Sequence, residues 1–574
     1  MTIFESPAPA QFVPPLDDVT LPQFILDDVQ HRLRPTRPTG TPCLIEEEIG
    51  RELFLEEVRT RTDAFARTLN AKWGIGKDDV VALCSPNHID YPIAIWAAHR
   101  LGAIAALISP ALTSSELVYH LQIAQPSLLI AHADNLTTAL DAASSVGLPP
   151  SRVLVFGERD GQYQSMNALI SHGGLLPPIV EYTMAPGEAR EKIAVLCFSS
   201  GTTGKPKAVA VSHYNIICNV MQCATHLRLG DNSIPWDEQR FRPGDKCAAV
   251  LPLYHIYGIV SNLHFCLYSG MSVVIVQKYS HEGLLRSIER LRITHLFLVP
   301  PQVLLFCKSP ATKKYDLSSV RFCIVAAAPL TAELTAQFLE VFPDIQLGQG
   351  YGLTETCAAV TLWPISQKVG TPGSAGQLIS GTQAKVVKSD GSLAGVGEPG
   401  ELYVKGGQVV LGYYRNEEAT KEAFSPDGWF RTGDEVVFKE NGDVFITDRI
   451  KELIKVKGFQ VAPAELEGHL LGHAHVADVG VIGVPDAFAG ELPLAFVVLQ
   501  PKIAARVQAD AAFATEVQAS IFKHVADAKT HYKWLAGGIV FIEAIPKNPS
   551  GKILRRMLRE RAKALRVPAV RARL

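Results

Sequence analysis

The residues best placed to do chemistry lie between Phe198 and Lys207, which read F-S-S-G-T-T-G-K-P-K. Two serines, two glycines and two threonines fill positions 199 to 204, directly after an apolar run, Ile193 to Phe198, with strand character. Such a loop suits an anion. Gly201 and Gly204 let the backbone turn its N–H groups inward. Ser199, Ser200, Thr202 and Thr203 add hydroxyl donors, and Lys207 adds a compact positive charge suited to phosphate. The common nucleotide P-loop needs a glycine five residues before its Gly-Lys pair and Ser or Thr directly after it; those positions here are Ser199 and Pro206. The competing reading is a polar surface turn between strand and helix.

Positioning such a loop requires a scaffold, and the flanking sequence alternates accordingly. Leu55, Val58, Thr62, Phe65 and Leu69 recur at three and four, predicting one helix face that Gly74 ends. A strand is expected at Val80 to Cys84, then a helix from Tyr91 to Leu101 closed by Gly102, and a strand from Ala103 to Ile108. Thr113-Ser-Ser-Glu116 has the form of a capping box, and strands follow at Leu128 to Ala131 and Val153 to Phe156. Short apolar strands alternating with helices predict parallel sheets covered on both faces. The fold class is therefore α/β. Residues 1–48, rich in Pro and Asp, read as an extended arm across the first domain, and residues 49–375 as a doubly wound core. Residues 376–447, with strands at Ala384 to Val387, Glu401 to Val404 and Gly442 to Ile446, read as a small β-rich subdomain. From Asp448 a separate, smaller α+β domain is expected, with a helix opening at Pro463, strands at Asp478 to Val484 and Ala495 to Leu499, and helices at Ala511 to Ala526 and Lys552 to Arg566, the last read as solvated.

The whole chain sets further bounds. Its 574 residues exceed one core. With 55 basic against 57 acidic residues, no field favours nucleic acid. Ten cysteines without a C-x-x-C pair argue against a disulfide framework or structural zinc. A secretory signal is not expected at Met1 to Glu5, nor a membrane span anywhere.

The loop at Ser199 to Lys207 is joined by Q-G-Y-G-L-T-E (Gln349 to Glu355), T-G-D (Thr432 to Asp434), D-R-I-K-E-L-I-K-V-K-G-F-Q-V-A-P-A-E (Asp448 to Glu465) and P-S-G-K (Pro549 to Lys552). This ordered set resembles the acyl-adenylate-forming superfamily along nearly the whole chain, and L-P-L-Y-H-I-Y (Leu251 to Tyr257) is most similar to its coumarate:CoA ligase and luciferase branch. The resemblance implies activation of a carboxylic acid with ATP and Mg2+, then transfer of the acyl group to CoA. By that resemblance the first loop holds the β and γ phosphates. Gln349, Gly350, Tyr351 and Gly352 approach adenine, Thr354 donates to the α-phosphate, and Glu355 ligates magnesium. Asp434 accepts from the ribose and Arg449 assists there. Lys552 bridges the substrate carboxylate and α-phosphate. Asp448 is the hinge of a mobile C-terminal domain that withdraws Lys552 for thiol transfer and brings in Lys457 and Gly458 beside the pantetheine; Lys278 meets CoA, and Lys455 and Gln460 match catalytic positions.

His255 read alone is a packed histidine; by resemblance it borders the acyl pocket and thiol entrance. Tyr257, Ser261, Ile324, Ala327, Gly350 and Leu362 complete that pocket. Cys357-Ala358-Ala359 departs from the Gly-Pro-Val of coumarate ligases, and Ala326-Ala327-Ala328-Pro329 from their glycine-led version. An apolar guest is expected, aryl-alkanoic or medium-chain. Rival readings are a ligase loading a carrier protein, a luciferase-like oxygenase, and a non-catalytic nucleotide-binding protein. Ala572-Arg573-Leu574 has the form of a peroxisomal import address, with the cytoplasm as the alternative location.

Overall fold

The structure is a computed structural model and describes all residues except 1, 9, 28–32, 158–162, 200–205, 458, 487, 549–550 and 566–574. Two large sheets form the core of the N-terminal part. One has seven strands in the order Gly412–Tyr413, Lys207–Ser212, Ile193–Ser199, Ile104–Ile108, Val80–Cys84, Leu128–His132 and Val153–Phe156. Its last five strands are parallel, as their continuous apolar composition requires. The other has nine strands, parallel from Leu44–Glu46 through Ser272–Ile275, Lys246–Ala249, His295–Leu298 and Phe322–Val325 to Gln346–Leu353, with antiparallel pairs at both edges.

The helical signals act as their chemistry dictates. Gly74 takes the left-handed conformation (φ 65°) that ends the helix Leu55–Trp73, whose Val58, Thr62, Phe65 and Leu69 are buried. Thr113 and Glu116 form the reciprocal capping box of the helix Ser114–Ala124.

Several segments depart from the sequence reading. The stretch that follows Ser199 is flanked by two strands and not by a strand and a helix: Ile193–Ser199 and Lys207–Ser212 pair antiparallel, Ser199 opposite Lys207, and the second strand leads into the helix His213–His226. The proposed arm is partly built into the sheets. Phe4–Glu5 pairs with Gln383 and Ala384, with the Phe4 ring stacked 4.0 Å from Phe438, and Leu44–Glu46 lies within the nine-stranded sheet. Gly412–Tyr413, in the segment read as β-rich subdomain, instead edges the seven-stranded sheet. Gln377–Leu378, in the same segment, edges the nine-stranded sheet, and Gln383–Val387, Gly400–Lys405, Phe430–Phe438 and Val444–Arg449 form a five-stranded sheet with Phe4–Glu5.

The C-terminal part builds a sheet of Phe459–Val461, Ile454–Val456, Gly490–Leu499, Val476–Asp486 and Gly538–Phe541, covered by helices. Pro463 opens the helix Pro463–Leu471. The terminal helix Arg555–Leu565 is not wholly solvated: Arg555, Leu558 and Ala562, three and four apart, bury one face. No helix among the described residues is long and apolar enough to cross a membrane.

Candidate active site

The carboxyl ends of parallel strands from both large sheets converge on a cavity of about 440 Å3, the usual ligand position in open α/β sheets. Ile193–Ser199 delivers Ser199, the facing strand Lys207, Phe322–Val325 leads to Ala327, and Gln346–Leu353 runs along the wall with Gly350, Tyr351 and Gly352. Glycine is required at 352, where a Cβ would stand 1.4 Å from the Ala358 carbonyl oxygen.

One end of the cavity is polar. Glu355, buried on a short helical turn, accepts from the Ser199 hydroxyl at 3.2 Å and the Tyr413 hydroxyl at 3.0 Å, both at Oε1. Its Oε2 accepts no hydrogen bond among the described residues, so a hard carboxylate oxygen faces the cavity, which fits a divalent cation. Thr354 lines the same wall. Beside them Asp434 is buried, taking a 2.6 Å hydrogen bond from Tyr351 and facing Arg449 Nε at 3.2 Å. Burial pushes its carboxyl up from the ordinary range, while Arg449 and Tyr351 hold it back.

Lys552 reaches this cavity from the C-terminal part. It is anchored three residues on by Arg555, whose Nη2 donates to both carboxylate oxygens of Glu467 at 2.8 Å and whose Nη1 donates to Glu452 at 2.8 Å. Burial, and then the Arg449 charge, bring Lys552 down to about 8.

The other end is apolar. Tyr257, Ile324, Ala358 and Leu362 form it, with Ser261 and Ala327 at its walls. His255 lies between the two ends, its Nδ1 accepting from Tyr257 N at 3.2 Å; burial, and then the Lys552 charge, hold it down at about 4, neutral at pH 7. Ala327 (φ 71°), Cys357 (φ 49°) and Ala358 (φ 83°) adopt left-handed backbone beside this pocket, a strain that sites of function tolerate.

The structure thus brings together Ser199, Lys207, His255, Tyr257, Ser261, Ile324, Ala327, Gly350, Tyr351, Gly352, Thr354, Glu355, Leu362, Arg449 and Lys552, with Asp434 directly behind. Gln349 is not on the wall: its side-chain oxygen accepts from Leu330 N at 2.7 Å and fixes the neighbouring loop. Lys278, Lys455, Lys457 and Gln460 are exposed and outside the cavity. Lys455 and Gln460 face each other across a two-strand hairpin, and Lys457 turns it with φ 50°. Asp448 is buried and accepts from Arg449 N and Ala464 N, tying the end of one sheet to the start of the next helix. Ser200, Gly201, Thr202, Thr203, Gly204, Gly458 and Ala572-Arg573-Leu574 lie outside the described residues. Sequence reasoning missed Tyr413, which no motif marked and only the strand pairing brings to Glu355.

Family models for the AMP-binding enzyme and for its C-terminal domain match residues 33–414 and 465–552. The chain belongs to the AMP-binding enzyme family. It is 32% identical over 578 residues to 4-coumarate-CoA ligase 1 of Narcissus pseudonarcissus, covering 98% of this chain and 97% of that one. Over 492 residues it is 34% identical to luciferin 4-monooxygenase of Photuris pensylvanica, covering 85% and 86%. Its fold superposes on the anthranilate CoA ligase AuaEII in complex with anthranoyl-AMP with a TM-score of 0.81 at 25% identity, covering 96% of this chain and 99% of that one. These neighbours share the acyl-adenylate-forming architecture, a large N-terminal domain of several sheets and a smaller C-terminal domain.

Proposed function

We propose that this member of the family ligates an apolar carboxylic acid, aryl-alkanoic or medium-chain, to CoA through an acyl-adenylate. The carrying observation is that Lys207, Glu355 and Lys552 share one cavity with an apolar recess at its other end. In the first step a carboxylate oxygen attacks the α-phosphorus of ATP and pyrophosphate leaves. Lys552 offsets charge where the two anions meet. Lys207 and the Ser199 loop hold the outer phosphates, and Asp434 and Arg449 hold the ribose. Glu355 would hold Mg2+, which when bound neutralises phosphate charge. In the second step the CoA thiol attacks the acyl carbonyl and AMP leaves. The thiol proton passes to solvent, and His255, neutral at pH 7, borders the cavity. For this step the C-terminal domain turns about Asp448, exchanging Lys552 for the hairpin of Lys455, Lys457 and Gln460, with Lys278 meeting CoA.

Two further details support an apolar acid over a dicarboxylate. Tyr257, Ile324 and Leu362 bring no cation to the recess, and its hydroxyls are those of Tyr257, Ser261 and Thr361, of which Thr361 is already bonded to Ala375 O at 2.6 Å. The test is CoA-dependent AMP formation, with pyrophosphate release in parallel, across aryl, aryl-alkanoic and C4 to C16 aliphatic acids. Both products with one acid class support this reading. Pyrophosphate without CoA turnover moves the protein to carrier loading, and oxygen-dependent light with luciferin moves it to the chemistry named for its Photuris relative.

A further inference from the structure

Lys207 and Glu355 carry opposite charges into one cavity, where such groups attract more strongly than in open water. Among the described residues neither forms an ion pair. Tyr413 stands at both. Its ring lies 4.6 Å from the Lys207 ammonium, and its hydroxyl donates to Glu355 Oε1 at 3.0 Å. The sheet register explains the placement: Tyr413 pairs with Val209, so Lys207, two residues earlier on the same face, is its diagonal neighbour. Phe424 packs edge-on to the ring at 5.8 Å, and Tyr413 N bonds Thr420 Oγ1 at 2.9 Å, so the ring is supported from behind. Burial and the nearby carboxylate push the phenol up, keeping it a donor throughout the neutral range.

We infer that Tyr413 is a positioning residue that keeps the phosphate-binding lysine and the metal-binding carboxylate apart and aimed in the free enzyme. Its ring gives the Lys207 ammonium a cation–π partner. Its hydroxyl, together with Ser199, occupies Glu355 Oε1 and leaves Oε2 for a divalent cation. Without it, the two charges collapse into a pair that blocks both ligands. The role rests on the adenylating reading above.

The test uses the full-length protein, Mn2+ in place of Mg2+, and the non-hydrolysable α,β-methylene-ATP. Free Mn2+ is read by electron paramagnetic resonance, and binding of the metal-free nucleotide by calorimetry in EDTA. Tyr413→Phe keeps the ring and loses the hydroxyl: Mn2+ affinity falls about tenfold with metal-free nucleotide affinity unchanged. Tyr413→Leu loses both: Mn2+ affinity falls as far, and nucleotide affinity drops by about threefold as well. Thermal unfolding midpoints of both variants establish that they are folded. An unchanged Mn2+ affinity in folded Tyr413→Phe overturns the role of the hydroxyl, and identical nucleotide affinity in folded Tyr413→Leu overturns that of the ring. A wild-type protein that binds no nucleotide sinks the adenylating reading, and this role with it.

Discussion

Gly468, buried in the helix Pro463–Leu471, packs so tightly on Thr331 that a Cβ added to the glycine would stand 2.4 Å from the threonine methyl. Thr331 cannot swing aside freely, because its hydroxyl caps the helix Ala332–Val341 by accepting from Leu334 N at 3.2 Å. The contact joins the C-terminal part to the N-terminal part in the arrangement that places Lys552 in the cavity. Gly468→Ala is therefore expected to disfavour this arrangement by about 1–3 kcal/mol, slowing acid-dependent pyrophosphate release about tenfold or more. Thr331→Ser removes the methyl and keeps the cap, so the double variant recovers the rate. A double variant as slow as Gly468→Ala would refute the steric account.

In the proposed mechanism Lys552 acts as a cation, and its environment brings it down to about 8. It is charged below that pH and loses the charge above it. Acid-dependent kcat/KM for adenylation is thus expected to decline as pH rises through about 8, a profile that reports the free enzyme. Lys552→Arg stays charged, so whatever activity it retains shows no such decline. Lys552→Ala is expected to bind ATP normally and adenylate about 10²- to 10³-fold more slowly. Pre-steady-state pyrophosphate release measured from pH 6.5 to 9.5 checks all three.

Asp434 offers a buried carboxylate already oriented by Tyr351 and Arg449. Asp434→Asn preserves the shape and removes the charge that strengthens hydrogen bonds from ribose hydroxyls. KM for ATP is expected to rise about tenfold, while the KM for the acid stays within about twofold of wild type. Initial rates with each substrate varied separately test the asymmetry; a matched rise in both would argue for collapse of the site instead.

Much of this scaffold was legible because its signals are local. Continuous apolar strands such as Val80–Cys84, the Thr113–Glu116 capping box and Pro463 at a helix start each report a short-range preference. Ser199, Gly350, Gly352 and Thr354, singled out by their motifs, likewise line the cavity. Pairings between distant segments left no such trace. Nothing in Phe4–Glu5 announces Gln383 and Ala384 as its partners, and nothing in G-Y-Y says that Tyr413 will edge a sheet begun more than 300 residues earlier. Gln349 was misplaced because a motif gives the order of residues along a strand but not which neighbour claims each side chain; Leu330 N claims this one.

In the proposed reading Gly350 bounds the acyl recess. It pairs across the sheet with Leu362, and an added Cβ would meet Leu362 Cδ2 at 3.0 Å, Ile324 Cδ1 at 3.2 Å and the Thr361 carbonyl oxygen at 3.3 Å. Its φ is not left-handed, so Gly350→Ala strains no backbone and acts through volume alone. The two side chains can yield slightly, whereas the Thr361 carbonyl is held in the strand Ala358–Leu362. The variant should fold and lose its largest acids first, with kcat/KM down about tenfold or more, the usual effect of one methylene on a hydrophobic pocket. Ranking kcat/KM over acids of increasing length or ring size, wild type beside variant, measures the shift in cutoff. A uniform loss across all acids would place Gly350 outside the acyl wall.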